Sequence, residues 1–164
     1  MTIAVWRIAT DARDYEADDL SGKGAEKSGG RWNRPGLPVV YCATNISLAC
    51  LETLVHLRAG GLPLNRTLVR VDVPDSVWAA RTELAIDALS IGWNVVPESK
   101  VSLDIGDAWL KRGHSAVLEV ASAIVPEETI VLINPRHAQA TQISAEKVRR
   151  WLYDGRLTGP PAAE

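Results

Sequence analysis

A single acidic side chain, Glu52, lies in a segment of this chain that is otherwise largely apolar. From Ile46 onward the apolar residues have the spacing of a helix packed in a core, so Glu52 is expected in apolar surroundings. An ionised carboxylate there is costly unless it is paired, so Glu52 must either take up a proton or meet a cation such as Arg31. The sequence therefore indicates a candidate charged centre made of a carboxylate and a guanidinium.

Two further features are compatible with a bound ligand. Gly29 and Gly30 precede Arg31, and glycines let a backbone approach a ligand closely or adopt positive φ, although they also occur in any tight turn. Arg7 interrupts an apolar segment at residues 3–9, and an arginine there requires an anion from the protein or from a ligand.

Several familiar site classes are disfavoured. No serine lies in a Gly-x-Ser-x-Gly elbow, and the glycines form no strand-linked G-x-G-x-x-G, which disfavours a serine hydrolase and a dinucleotide-dependent oxidoreductase. Cys42 and Cys50 match no zinc or redox spacing and are interpreted as core residues. No metal site is predicted.

Composition limits the possible partners and the location. The formal net charge is −2 with a pI near 5.9, so there is no broad basic surface and direct nucleic-acid binding is not expected. No apolar run approaches the roughly 18 residues of a membrane span, and the first residues lack the pattern of a signal peptide. We therefore expect a cytoplasmic protein without a membrane association.

The elements that must position these residues are mostly strands. Their number, and the lack of regular alternation with helices, predict an α+β fold: one domain over residues 1–157, with a mixed sheet flanked by helices and a flexible tail at 158–164. Asn45 or Thr44 is the predicted cap of the helix that carries Glu52. Strands are predicted at 3–9, 38–43, 66–73, 116–120 and 130–133, helices at 46–58 and 99–112, helical turns within 11–27 and 78–89, and a helix or an edge strand at 148–153.

Five short motifs occur in order along the chain. They are Arg31 in Gly-Gly-Arg-Trp-Asn, Tyr41 at the end of its strand, Glu52 in its helix, Ser122 after Val117-Leu118-Glu119-Val120, and Asn134-Pro135-Arg136-His137. Together they resemble the RES domain family, which is named after an arginine, a glutamate and a serine. The resemblance runs from about residue 6 to residue 157 and matches those three residues with Arg31, Glu52 and Ser122. It implies a split sheet similar to ADP-ribosyltransferase toxins of the diphtheria type.

The resemblance implies a bacterial toxin of a RES–Xre type II toxin–antitoxin system. Such a toxin degrades NAD+ by cleaving the nicotinamide–ribose N-glycosidic bond, through hydrolysis or phosphorolysis. NAD+ is then the substrate, and no cofactor is expected. The implied partner is an Xre-type helix-turn-helix antitoxin that covers the active site, with a possible toxin homodimer in a larger complex.

The chemistry of NAD+ is compatible with a single carboxylate. Nicotinamide leaves as a neutral molecule from a cationic pyridinium, so no general acid is needed, and Glu52 can stabilise the charge that grows on the ribose. Arg31 suits the diphosphate, because its planar fork can hold two oxygens, and Tyr41 offers a ring to pack on nicotinamide and a hydroxyl to orient Glu52. Ser122 would bond the ribose or the carboxylate. The other expected substrate contacts are Gly30, Asn134 and Arg7.

Structural roles remain open for each of these residues. Arg31 could pair with Glu52, Tyr41 could be a core residue, and Ser122 and Asn134 could be turn formers. Two other functions also remain open. One is an ADP-ribosyltransferase that modifies a macromolecule with NAD+ as donor, and the other is a non-catalytic domain that binds a partner.

Overall fold

A seven-stranded mixed sheet forms the body of the protein in the computed structural model, which describes residues 1–57 and 61–157. The strands are β1 (Thr2–Ala9), β2 (Val40–Ala43), β3 (Arg66–Pro74), β4 (Thr82–Leu84), β5 (Val117–Ala121), β6 (Thr129–Ile133) and β7 (Ser144–Trp151). Their order is β4-β5-β6-β2-β1-β3-β7, with β4 and β5 parallel and the other neighbouring strands antiparallel. The predicted α+β fold with a mixed sheet is confirmed.

Side chains cap the two longest described α-helices at their N-termini. The described helices are α1 (Lys23–Ser28), α2 (Ile46–Leu54), α3 (Asp75–Ala79) and α4 (Lys100–Arg112), with 3-10 turns at Ile86–Ala88, Ala138–Gln142 and Gly155–Leu157. Asn45 caps α2 by accepting a hydrogen bond from Leu48 N at 2.8 Å, and Ser99 caps α4 in the same way. Gly113 ends α4 with φ of 61°. No described helix reaches the length and hydropathy that crossing a bilayer requires.

The sheet is split between β1 and β2. These two strands pair at one position, Trp6 with Ala43, whereas β1 and β3 pair along eight residues. The chain thus forms two half-sheets, β4-β5-β6-β2 and β1-β3-β7, which meet at a narrow junction. This confirms the predicted split sheet.

Each face of the sheet has its own hydrophobic core, because side chains alternate along a strand. One core includes Trp32, Leu48 and Leu132 and lies on the face that α2 and α4 cover; we call it the α2 face. The other core includes Val71 and Val131 and lies on the opposite face, with α3. Glu52 is therefore carried by a helix on the α2 face.

The structure adds to or alters three predicted elements. The segment at 78–89 contains a predicted helical turn, at Ile86–Ala88, and also strand β4, which is three residues long and too short to show a period. The segment at 148–153, predicted as either a helix or an edge strand, is largely the edge strand β7, which begins earlier, at Ser144. Helix α2 ends at Leu54, earlier than predicted, because Val55 and His56 are exposed and have no core to cover. Arg58, the last residue of the predicted helix, and the predicted flexible tail at 158–164 lie outside the described residues.

Candidate functional site

The carboxylate of Glu52 is held by Ser122, from which it is separated by 70 positions in the chain. Ser122 is fully buried directly after β5, and its Oγ donates to Glu52 Oε1 at 2.7 Å. The same Oγ accepts hydrogen bonds from the backbone N–H groups of Ile124 and Val125. Since a hydroxyl has one proton to donate, these two bonds direct that proton at Glu52. Among the described residues, no partner is found for the second carboxylate oxygen.

Glu128 connects the segments that carry Ser122 and Glu52. Its backbone carbonyl accepts from Ser122 N at 2.9 Å, and its carboxylate accepts from Asn45 Nδ2 at 3.0 Å. Asn45 caps α2, so the first turn of the Glu52 helix and the start of the Ser122 turn share one anchor. The sequence offered no signal for Glu128, because the contact depends on how the β5–β6 turn meets α2.

Arg31 projects from a tight turn that Tyr41 stabilises. Gly30 N donates to Asn33 O at 2.9 Å and closes the turn. The Tyr41 hydroxyl accepts from Trp32 N at 3.0 Å and donates to Asn33 Oδ1 at 2.7 Å. Asn33 is fully buried, and sequence analysis had not singled it out although it belongs to the Gly-Gly-Arg-Trp-Asn motif. The hydroxyl of Tyr41 therefore orients the Arg31 turn, contrary to the expectation that it orients Glu52.

Burial raises the pKa of the Tyr41 hydroxyl, and the hydrogen bond from Trp32 N opposes that rise only in part. The phenol therefore stays neutral at physiological pH and cannot serve as a base. Its described role is structural, because its hydroxyl holds the Arg31 turn.

The guanidinium of Arg31 contacts neutral groups. Its Nη1 donates to the carbonyl oxygens of Trp93 at 3.1 Å and Val95 at 2.9 Å, in the loop before α4. Trp93 stacks on Trp32 with ring centroids 6.1 Å apart, which fixes this loop against the turn. No described carboxylate lies within 4.0 Å of Arg31, so the possible ion pair with Glu52 is not formed. The free-energy cost of burying an ionised carboxylate, which the sequence led us to expect for Glu52, is avoided because α2 is only partly enclosed and Ser122 supplies a hydrogen bond.

Replacing Gly30 with alanine is expected to destabilise the Arg31 turn by about 1–3 kcal/mol. The new Cβ would lie 2.7 Å from the Tyr41 hydroxyl oxygen and 3.2 Å from Asn33 Oδ1, so it would displace the bond between them. Urea unfolding of Gly30→Ala should report this loss. Tyr41→Phe removes the nearest atom, so Gly30→Ala should cost less in that background. Equal costs in both backgrounds would contradict the proposed clash.

Arg7 does not lie with the other predicted site residues. It alternates with Trp6 and Ile8, which face the α2 core, and so points to the opposite face. There its Nη1 donates to the carbonyl of Asp19 at 3.3 Å. The described partner of this arginine is thus a neutral backbone carbonyl, and the structure places Arg7 on the face of the sheet opposite Glu52.

Asn134 lies at the far end of β6 from Ser122. Thr129 pairs with Ala121 near Ser122, while Ile133 pairs with Val117 at the other end of the strand. Asn134 is buried and donates to the carbonyl of Leu110, which ties β6 to α4. It also lines a cleft of about 520 Å³ at that end of the sheet. The structure thus places Asn134 away from Ser122 and Glu52. Its alternative interpretation, as a turn residue, agrees with its Oδ1, which accepts a hydrogen bond from Arg136 N at 3.1 Å.

The two cysteines have the environment of core residues. Both are free, and burial raises the pKa of the Cys42 thiol to about 11, opposed by the nearby Arg7. Burial also raises the pKa of Cys50. Neither thiol is thus activated as a nucleophile. Within the described ranges, no group of three or more histidine, cysteine or acidic side chains is arranged to bind a metal ion.

The structure thus brings the predicted residues together as two pairs on the α2 face. Glu52 and Ser122 form one pair, and Arg31 and Tyr41 form the other. Leu48, from the Glu52 helix, and Trp32, from the Arg31 turn, belong to the same core. The pairs are linked through packing and share no direct bond among the described residues.

Comparisons with known proteins identify the family. The RES domain model matches residues 4–154. The chain is 55% identical to the "Prs ADP-ribosylating toxin" of Sphingobium sp. (strain YBL2), over 96% of this chain and 98% of that protein. It is 39% identical to a "Toxin Res" of Pseudomonas putida, over 93% and 98% of the two chains. A chain of the M. tuberculosis MbcT–MbcA toxin–antitoxin complex has the same fold, with a TM-score of 0.65 and 18% identity over 91% of this chain and 85% of that one. The chain therefore belongs to the RES domain family.

Proposed function

We propose that this protein is the toxin of a toxin–antitoxin system and that it cleaves the nicotinamide–ribose bond of NAD+. One observation carries the proposal: Ser122 holds one oxygen of Glu52, and the other oxygen has no described partner. A fixed carboxylate with a free oxygen is suited to stabilise a cation that develops on a bound ligand. Membership of the RES family, with relatives named as toxins, supports the biological role.

The proposed reaction needs little from the protein beyond charge and position. As the N-glycosidic bond breaks, its electron pair moves to the pyridinium nitrogen and nicotinamide leaves neutral. The ribose carbon gains positive charge, which the Glu52 carboxylate stabilises. An acceptor oxygen then bonds to that carbon and, if it carried a proton, releases it to solvent. Tyr41 is assigned to packing on the ligand beside Arg31.

Arg31 is the proposed diphosphate contact. Its described partners are two neutral carbonyls, so its charge remains available to an anionic ligand. Replacing it with alanine is expected to raise KM for NAD+ by about tenfold to a hundredfold, with a smaller fall in kcat. Steady-state kinetics of nicotinamide release will measure both constants. Arg13→Ala, at an exposed loop arginine, is the matched control. An unchanged KM in Arg31→Ala would refute the assignment.

The acceptor distinguishes degradation from transfer. Water or phosphate would give free ADP-ribose or its phosphorylated form, whereas a macromolecular acceptor would retain ADP-ribose. The 55% identity to the relative named "Prs ADP-ribosylating toxin" supports transfer to a macromolecule as the second candidate function, with Prs, the target printed in that name, as the acceptor to test. The bond broken and the role of Glu52 are the same in both.

The test is an incubation of the purified protein with NAD+ labelled in the adenine ring. Release of nicotinamide supports the proposed bond cleavage. If the folded protein releases no nicotinamide, both with and without phosphate and Prs, the proposed bond cleavage is contradicted. Label on Prs identifies a transferase, and free labelled products identify degradation. A non-catalytic partner-binding domain would release no nicotinamide, and its Glu52→Ala variant would remain toxic to cells.

The proposed partner is an antitoxin of the Xre helix-turn-helix type. The similarity of fold to a component of a toxin–antitoxin complex supports an antitoxin partner, and the Xre type is inferred from the RES family. Co-expression with the product of a neighbouring helix-turn-helix gene should restore growth and yield a co-purified complex. Light scattering of that complex would also show whether the toxin forms a homodimer.

A further inference from the structure

Helix α2 is held more firmly at its start than at its end. Its first turns are capped by Asn45 and bury Leu48 and Ala49. Its later residues are less enclosed, with Leu51 38% exposed and Val55 just beyond the helix 58% exposed. Glu52 lies in this second half, so its position depends on contacts beyond helix packing.

One such contact comes from the C-terminal segment. The hydroxyls of Thr53 and Tyr153 are 2.7 Å apart, although 100 positions separate these residues in the chain. Thr53 Oγ1 also donates to the carbonyl of Cys50 at 2.8 Å. Because that bond uses the only proton of the threonine hydroxyl, Tyr153 must be the donor in the shared bond. The two bonds form a chain from Tyr153 through Thr53 to the α2 backbone.

Tyr153 is itself well anchored. Its ring packs edge to face against Trp151, with centroids 6.2 Å apart and an angle of 81° between the rings. The guanidinium of Arg149 lies 4.7 Å from the centre of the Trp151 ring. Trp151 is the last residue of β7 and pairs with Arg66 of β3. The half-sheet β1-β3-β7 is thereby connected to the helix that carries Glu52.

We propose that Tyr153 is a positioning residue for Glu52. Ser122 holds the carboxylate directly, and Tyr153 holds the last turn of α2 through the residue next to Glu52. Loss of the Tyr153 hydroxyl frees this turn, so that the carboxylate samples positions away from the reacting carbon. The inference rests on the proposed NAD+ cleavage for its catalytic consequence, and on the contacts alone for its effect on α2.

Tyr153→Phe tests the catalytic consequence. We expect kcat for nicotinamide release to fall about five- to twentyfold, with KM for NAD+ unchanged, because small displacements of a catalytic group are costly. Thr53→Val should produce the same loss, and the double variant should lose no more than either single variant. Thr53→Ser keeps the hydroxyl and should retain activity. Tyr15→Phe, at a loop tyrosine, is the matched control.

Amide hydrogen exchange tests the effect on α2 without relying on catalysis. In Tyr153→Phe and Thr53→Val, amides 50–54 should exchange faster than in the native protein, whereas amides 46–49 should be unchanged. If the native protein fails to cleave NAD+, the proposed function fails and exchange alone decides whether Tyr153 holds the helix. Unchanged exchange in both variants overturns the inference, as does an additive loss of kcat in the double variant.

Discussion

Glu52→Gln is expected to lower kcat for NAD+ cleavage by about 10²–10³-fold while leaving the fold intact. Glutamine has the same size and can still accept the hydrogen bond from Ser122 through its carbonyl oxygen. It lacks the negative charge that stabilises the developing cation on the ribose. The loss should therefore fall on kcat, with little change in KM.

Single-turnover and steady-state measurements of nicotinamide release will separate these constants. Glu146→Gln is the control, because Glu146 is an exposed carboxylate on the edge strand β7. It should retain native activity. A Glu52→Gln variant that is folded and keeps more than about a tenth of native kcat would show that this carboxylate does not stabilise the transition state.

Gly106→Ala is expected to be the most destabilising small substitution, costing more than about 3 kcal/mol. Gly106 lies in α4 where the helix crosses the backbone of Trp32. A Cβ there would overlap the carbonyl oxygen of Trp32 and lie 2.6 Å from its carbonyl carbon. Backbone cannot rotate away as a side chain can, so α4 and the Arg31 turn must separate.

Thermal unfolding will measure this cost. A loss of 3 kcal/mol corresponds to a decrease in Tm of about 6–12 °C for a chain of this size. Gly155→Ala is the control, because its Cβ would meet no atom within 4 Å. A Tm for Gly106→Ala within about 2 °C of the native value would mean that α4 is not in close contact with Trp32.

Local sequence patterns predicted the elements that local chemistry specifies. Asn45 and Ser99 have side chains that cap a helix within three residues, and Gly113 supplies a left-handed helix end. Strand β4 escaped prediction because it is a three-residue strand held by backbone pairing with β5. Its existence depends on a neighbour more than thirty positions away.

The face on which a side chain lies was harder to predict. Arg7 has buried apolar neighbours on both sides of its strand, so alternation in the sequence does not reveal which face belongs to the site. The position of β1 between β2 and β3 determines which face of the sheet each of its side chains takes, and it places Arg7 on the face opposite Glu52. Asn134 was recognised from its motif in the sequence. Because β6 runs antiparallel to β5, Asn134 lies at the end of these strands that is far from Ser122.

The sequence by itself determined the order of the RES motifs, the α+β class, and the placement of Glu52 on a capped helix, since these follow from residue types within a few positions of one another. Tertiary structure decided the partner of each side chain. Ser122 reaches Glu52, Tyr41 holds the Arg31 turn, and Tyr153 reaches Thr53. The reason is physical: a hydrogen bond forms only within about 3 Å and in a set direction. Residues 70 or 100 positions apart meet those conditions only after sheet and helices have packed.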